Sequence, residues 1–104
     1  MDASSDPTLT QVLDTLRAHE AELHARGVKH AAIFGSVARG EAGPESDVDI
    51  MLDIDHGVVT SLLQYAGIAG LIEEAVGREI DVAMKDRLKE HVRPHALRDA
   101  VDAF

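Results

Sequence analysis

Three aspartates stand at positions where their carboxylates could bind a metal ion. Asp47 and Asp49 lie two residues apart in a stretch of alternating apolar and mostly acidic residues, which predicts a strand with both carboxylates on one face. Their Cα atoms would be about 6.5–7 Å apart. Asp81 lies in a later alternating stretch, on the face opposite Ile80 and Val82. Three such carboxylates brought together could hold two Mg²⁺ ions about 3.5–4 Å apart, as in-line phosphoryl transfer requires.

A glycine-containing loop precedes the first two aspartates. Gly35 follows an apolar stretch and would let a phosphate approach the backbone closely. Ser36 would begin a short helical turn and offer its hydroxyl and amide to that phosphate, and Arg39 would add a fixed positive charge. A phosphate-binding loop followed by metal ligands predicts a site for a nucleoside triphosphate.

Each of these residues, taken singly, has an ordinary structural explanation. Ser46 and Asp47 could form a turn, and Asp49 or Asp81 could face solvent on an amphipathic strand. The combination favours chemistry, because one loop and two strands would place all the required groups on one side of a sheet. Whether Asp81 reaches the other two carboxylates depends on strand order, which the sequence leaves open.

Apolar periodicity predicts an α/β fold, a small sheet covered by helices. A first helix is expected to be capped by Thr8, with Gln11 closing a capping box. The last helical region is expected to be capped by Asp86 and interrupted by Pro94. Its final segment would carry an apolar stripe of Leu97, Val101 and Phe104. The expected long helices cover residues 9–26 and 60–76, and the expected strands cover residues 28–34, 47–54 and 78–84.

Composition narrows the range of functions. The 104-residue chain carries a formal net charge of −9, which would repel the backbone of DNA or RNA and would suit metal cations or a basic protein partner. It contains no cysteine, which excludes disulfides and thiolate metal sites and fits a cytoplasmic protein. No apolar run approaches the roughly 18 residues of a membrane span. Neither nucleic acid nor membrane is therefore expected as a partner.

The stretch from Gly35 to Asp49 resembles the glycine–serine and Asp-x-Asp signature of the DNA polymerase beta-like nucleotidyltransferase superfamily. The tighter similarity is to its minimal nucleotidyltransferases, which are often the antitoxins of two-gene modules. Their toxins belong to the HEPN class (higher eukaryote and prokaryote nucleotide-binding domain). The similarity covers nearly the whole chain. The motifs that carry it are Gly35-Ser36-x-x-Arg39-Gly40, Ser46-Asp47-x-Asp49 and Glu79-Ile80-Asp81-Val82.

This resemblance implies a small mixed β-sheet flanked by helices and an enzyme that transfers AMP from ATP with two Mg²⁺ ions as cofactors. One metal ion would bind the triphosphate, and the other would activate an acceptor hydroxyl that Asp81 helps to deprotonate. The implied metal-binding and catalytic residues are Asp47, Asp49 and Asp81, and the implied nucleotide-binding residues are Gly35, Ser36 and Arg39.

The acceptor of the nucleotide is expected to arrive on another protein. A single domain over residues 8–104, after a flexible tail of residues 1–7, leaves no second domain to bind an acceptor. The resemblance implies a hydroxyl of a HEPN-type toxin, and specifically a tyrosine. Tyr65, the only tyrosine of this chain, is expected to be a half-buried packing residue.

Two other functions stay open at this point. A non-catalytic antitoxin would keep the fold and neutralise its toxin by binding alone, although the intact set of aspartates favours an enzyme. Transfer of a nucleotide to a small molecule or a nucleic-acid end is the second alternative. The missing acceptor domain and the negative charge weigh against it.

Overall fold

Helices and strands alternate along the residues that the computed structural model describes, 7–43 and 46–104. This arrangement confirms the predicted α/β class. A short 3₁₀ turn, Lys85–Arg87, follows the third strand. The helices are α1 (Pro7–Ala18), α2 (Glu20–Ala25), α3 (Gly35–Arg39), α4 (Leu62–Val76) and α5 (Arg93–Asp99), and the strands are β1 (Val28–Phe34), β2 (Val48–Ile54), β3 (Ile80–Met84) and β4 (Val101–Asp102).

The four strands form one mixed sheet in the order β3-β2-β1-β4. β1 runs antiparallel to both β2 and β4, whereas β2 and β3 are parallel. The parallel pair is joined by α4, the crossover helix that two parallel strands require. β3 and β4 are therefore the edge strands, and β2 lies in the interior of the sheet.

One face of the sheet carries the hydrophobic core. The alternation predicted for β2 is confirmed, since Val48, Ile50, Leu52 and Ile54 are all buried and Asp49 and Asp53 on the opposite face are partly exposed. Burial of an aliphatic side chain contributes about 1.5–3 kcal/mol. The apolar face thus fixes the register of β2 and, with it, the side on which its aspartates stand. The helical part of this core includes Leu16 and Leu23 of α1 and α2 and Ile68 and Ile72 of α4.

The first predicted helix is two helices. α1 begins at Pro7, so Thr8 lies inside the first turn and is not the predicted cap. Proline suits a first helical position because its fixed φ is already helical and its missing N–H would be unpaired there. The chain breaks at His19, whose backbone N–H bonds to Leu16 O at 3.1 Å in a tighter turn. Gly27, at φ 104°, lies just beyond the second helix, close to the predicted helix end at residue 26.

The C-terminal region differs most from its prediction. α5 begins at Arg93, next to the Pro94 at which an interruption was predicted, and ends at Asp99. Val101 belongs to β4 and not to the predicted apolar stripe of a helix. Asp86 lies within the 3₁₀ turn and is not a helix cap. Val101 and Asp102 pair with β1, although the spacing of the apolar residues would also fit a helix. Ala103 N–H donates to Ala31 O at 2.8 Å, and Arg17 Nε donates to Ala103 O at 2.8 Å.

The remaining boundaries shift by one or two residues. β2 and β3 begin at Val48 and Ile80, and α4 begins after Ser61, which forms a capping box with Gln64. Of the predicted N-terminal tail, residues 1–6 lie outside the described residues. No described helix is long and apolar enough to cross a membrane.

Candidate active site

The sheet brings two of the predicted carboxylates side by side. Asp49 is the second residue of β2, and Asp81 is the second residue of β3. The two residues are paired partners in the parallel register, so their side chains leave the same face from strands about 4.8 Å apart. Asp47 stands immediately before β2 and is exposed to solvent. The strand order that the sequence left open therefore places Asp81 next to Asp49.

These carboxylates form a cluster of negative charge. Burial raises the pKa of Asp49 above its usual value, and the charges of Asp81 and Asp47 raise it further, whereas Arg39 acts in the opposite direction. No described residue forms an ion pair with any of the three aspartates. Their mutual repulsion is thus largely uncompensated by the protein.

The carboxylates do not form a finished metal site. Across residues 7–43 and 46–104, no three His, Asp or Glu side chains are grouped closely enough to hold a metal ion as they stand. Asp49 and Asp81 are neighbours, and Asp47 is within electrostatic range of Asp49. Rotation of exposed side chains, chiefly that of Asp47, would be needed to complete a three-carboxylate set.

Gly35 lies directly against the central carboxylate. It has a φ of 75°, in the left-handed region that favours glycine. A Cβ atom built on Gly35 would clash with Oδ2 of Asp49. The contact follows from the register, because Phe34 at the end of β1 pairs with Asp49 across the sheet. Only glycine fits here, and it brings the predicted phosphate loop into contact with the predicted metal ligand.

The helical turn predicted after this loop is present and begins one residue early. α3 has five residues, from Gly35 to Arg39, and ends at Gly40, whose φ is 75°. Ser36 is half-buried, and its carbonyl accepts a hydrogen bond from Glu41 N–H at 2.9 Å. Within the described part of the chain its hydroxyl forms no hydrogen bond, so this group is available to a ligand.

Comparison with known proteins agrees with this geometry. The nucleotidyltransferase domain family matches residues 13–104. The protein adenylyltransferase MntA of Thermococcus cleftensis is 38% identical over 95 residues, which are 90% of this chain and 94% of that protein.

The chain belongs to the nucleotidyltransferase family. Its similarity to the minimal nucleotidyltransferases is also confirmed by a solved structure assigned to that group, with a TM-score of 0.69 and 32% identity over 86% of this chain and 93% of the other. A toxin–antitoxin complex with AMP-PNP shares the fold, with a TM-score of 0.66 at 13% identity over 85% of this chain and 72% of that one.

Arg39 of this nucleotidyltransferase is bound to the protein itself. Its Nη1 donates to Oδ2 of Asp99 at 2.7 Å, and its Nε donates to Oε1 of Glu41 at 3.0 Å. The side chain of Asp99 is only 14% exposed, whereas that of Glu41 is 65% exposed. Arg39 thereby ties α3 to α5 while its charge still acts on Asp49. The predicted phosphate ligand is therefore held by Asp99, a residue that the sequence motifs did not indicate.

Two further residues lie near the nucleotidyltransferase site: Arg78, which the sequence analysis did not indicate, and Tyr65, for which it predicted only a packing role. Arg78 Nη2 donates to the carbonyl of Ser46 at 2.9 Å, which holds the chain just before Asp47. Tyr65 is half-buried against the core, as predicted. Burial and the charge of Asp81 raise the pKa of its phenol. Neither the Arg78–Ser46 hydrogen bond nor the effect of Asp81 on Tyr65 is encoded in a local motif, since each involves residues far apart in sequence.

Proposed function

We propose that this chain is a Mg²⁺-dependent, cytoplasmic protein adenylyltransferase that acts as an antitoxin. It transfers AMP from ATP to a hydroxyl, the phenol of a tyrosine, on a HEPN-type toxin. The observation that carries the proposal is the contact of Gly35 with Asp49 while Asp49 is paired with Asp81. This arrangement places a backbone suited to phosphate beside carboxylates suited to a divalent cation. The similarity to the protein adenylyltransferase MntA of Thermococcus cleftensis supports adenylylation of a protein.

The donor set fits Mg²⁺ in its chemistry. Asp47, Asp49 and Asp81 offer only hard oxygen ligands, and no described cation forms an ion pair with them. The pKa of Asp49 is raised first by burial and then by the charges of Asp81 and Asp47, and a divalent cation would relieve that charge repulsion. These three residues would hold the metal ions. When bound, the ions would neutralise phosphate charge and lower the pKa of the acceptor hydroxyl.

The chain's own residues orient the reactants and accept a proton. The acceptor oxygen attacks the α-phosphorus of ATP, the bond from that phosphorus to the bridging oxygen breaks, and pyrophosphate leaves. Asp81 takes the proton of the attacking hydroxyl. The backbone at Gly35 and the hydroxyl of Ser36 bind the triphosphate, and Arg39 provides a positive charge held by Asp99. The rate gain comes chiefly from positioning and charge stabilisation.

The acceptor is supplied by a second protein. Helices α1, α2 and α4 pack on the core face of the small sheet, while Asp47, Asp49 and Asp81 face outward and are exposed or half-buried. Such an open site suits a partner that closes it when it binds. The shared fold of the toxin–antitoxin complexes agrees with a toxin as this partner.

Intact mass spectrometry tests the proposal. The protein and the partner encoded by its neighbouring gene are incubated with Mg²⁺ and each of the four nucleoside triphosphates. We expect the partner to gain the mass of one or more AMP units with ATP, and to gain nothing with the Asp47→Asn/Asp49→Asn variant. Full transfer by that double variant would refute the metal assignment.

The same experiment separates the alternatives. A stable complex with no mass gain for any nucleotide would indicate an antitoxin that acts by binding alone. A gain on a small acceptor in the absence of the partner would indicate a different substrate class. Peptide mapping of a modified partner would then identify the acceptor residue.

A further inference from the structure

Two large apolar side chains at the start of α4 face solvent. Leu62 is 82% exposed and Leu63 is 84% exposed, whereas the other exposed large apolar residues of the described chain, Val58 and Leu97, are 44% and 43% exposed. Helix formation does not require leucine at these positions, because glutamine has nearly the same helix propensity. Adjacent, almost fully exposed leucines are typical of an interaction surface.

A cleft adjoins these leucines. It has a volume of about 390 Å³, and Leu62, Tyr65, Met84 and Arg87 are among its lining residues. Arg87 forms no ion pair with another described side chain. The lining is mixed, since His56, Thr60 and Ser61 stand beside the apolar and aromatic side chains. A cleft with an apolar part and an arginine is suited to an apolar side chain followed by a carboxylate. We call Leu62, Leu63 and this cleft the α4 entry surface.

The α4 entry surface adjoins the edge strand that carries Asp81. Met84, which lines the cleft, is the last residue of β3, about 10 Å along the strand from Asp81. β3 is the outermost strand of the sheet, and no described segment pairs with its outer edge. The charge of Asp81 also contributes to the raised pKa of Tyr65, which lines the cleft. Met84 and α4 lie on the core side of the sheet and Asp81 lies on the outward side, so a protein bound at this surface would reach Asp81 around the free edge of β3.

The spatial order of the reacting groups also indicates the outer edge of β3. The phosphate loop follows β1, Asp49 is on β2 and Asp81 is on β3, so these groups lie in order across the sheet. In an in-line displacement the leaving group and the attacking oxygen stand on opposite sides of the phosphorus. With pyrophosphate at Gly35 and the transfer running along this order of residues, the acceptor would enter from beyond Asp81, across the outer edge of β3.

We propose that the α4 entry surface docks the protein that carries the acceptor hydroxyl, and that Leu62 and Leu63 are its main apolar contacts. This inference rests on the proposed function, since it uses the direction of transfer. A second copy of this chain is a poorer occupant, because a copy seated on the surface would cover the β3 edge and obstruct the acceptor. The matching surface of the partner is apolar, with a carboxylate placed to meet Arg87.

The test compares Leu62→Gln/Leu63→Gln with Leu97→Gln, the same exchange at an exposed leucine of α5. Binding of the partner encoded by the neighbouring gene is measured by calorimetry, and AMP transfer is measured as a function of partner concentration. We expect the double variant to raise both the Kd and the KM for the partner about tenfold or more. Its kcat at saturating partner and its Kd for ATP should equal those of the wild type, and Leu97→Gln should bind the partner normally.

Several results would overturn the proposal. One is an unchanged partner Kd in a double variant whose circular dichroism and melting temperature are those of the wild type. Another is a loss of self-association with normal partner binding, which would make the surface a contact between copies. Failure of the proposed function is seen separately, as absence of AMP transfer by the wild type. The calorimetric comparison still decides the docking site in that case.

Discussion

The contact between Gly35 and Asp49 can be tested by adding one methyl group. Gly35→Ala adds a Cβ that would clash with the Oδ2 atom of Asp49. The substitution also forces alanine into a left-handed conformation, since φ at this position is 75°. Two effects are therefore combined, a local backbone strain and a displacement of the central carboxylate. A second glycine allows them to be separated.

Gly77 provides the matched control. Its φ is 76°, nearly that of Gly35, but a Cβ at Gly77 meets no atom within 4 Å. Both alanine variants should lose about 1–2 kcal/mol of folding free energy from the left-handed conformation. In a domain of this size that loss lowers the melting temperature by between about 4 and 16 °C. Gly35→Ala should lose somewhat more, because Asp49 or the loop must move aside.

Activity should distinguish the two variants far more strongly than stability does. A misplacement of about 1 Å in a reacting group costs on the order of 100-fold in rate. We expect Gly35→Ala to lower kcat for AMP transfer by about that factor at a temperature where both variants are folded, and Gly77→Ala to retain wild-type kcat. If Gly35→Ala matched Gly77→Ala in both stability and kcat, the close packing of loop and carboxylate would have no catalytic role.

Three further predictions concern charges. Asp99→Asn should destabilise the fold in urea titrations and raise the KM for ATP, because it weakens the ion pair between the mostly buried Asp99 and the partly exposed Arg39. Glu41→Gln removes a more exposed partner of Arg39 and should destabilise the fold less. The pKa of Asp49 is raised, so its ionisation opposes folding above that pKa. Asp49→Asn should therefore melt no lower than wild type at pH 7 in EDTA while losing transfer, and a lower melting temperature would contradict this. The pKa of His24 is raised by hydrogen bonds to a backbone carbonyl and to a glutamate of the same helix. Its stabilisation should be complete below the unfolded pKa of about 6.5 and lost as pH rises through the higher folded pKa, so the melting temperature of wild type relative to His24→Gln should fall over that window.

Local patterns predicted the elements that carry the site. The alternation of β2 identified its buried face, and the face fixed the direction of Asp49. Gly35 and Gly77 both have a positive φ, and the helix predicted over residues 60–76 ends just before Gly77. These signals are encoded within a few residues, so a single sequence is enough to recognise them. The roles of the site residues stay predictions until the variants are assayed.

Long-range pairings could not be predicted from local patterns. Arg39 and Asp99 are 60 positions apart, and nothing near either residue indicates that they meet. The spacing of Val101 fits a helix as well as a strand. The strand forms because Ala103 and Phe104 hydrogen-bond to Ala31, which lies on β1, far away in sequence. The adjacency of Asp81 and Asp49 likewise depended on α4 crossing to a neighbouring strand rather than to the far edge.

The topology explains why the phosphate loop at Gly35 and the carboxylates of β2 and β3 lie close together in space. Parallel α/β sheets usually bind ligands at the carboxyl ends of their strands, yet Asp49 and Asp81 stand near the amino ends of β2 and β3. β1 runs antiparallel to β2, so the chain leaves β1 at the edge where β2 begins. Gly35 therefore meets Asp49 after a short connection, and α4 returns the chain to start β3 at that same edge. A phosphate loop at the end of one strand can thus face carboxylates at the beginning of two others, which an all-parallel order of these strands would prevent.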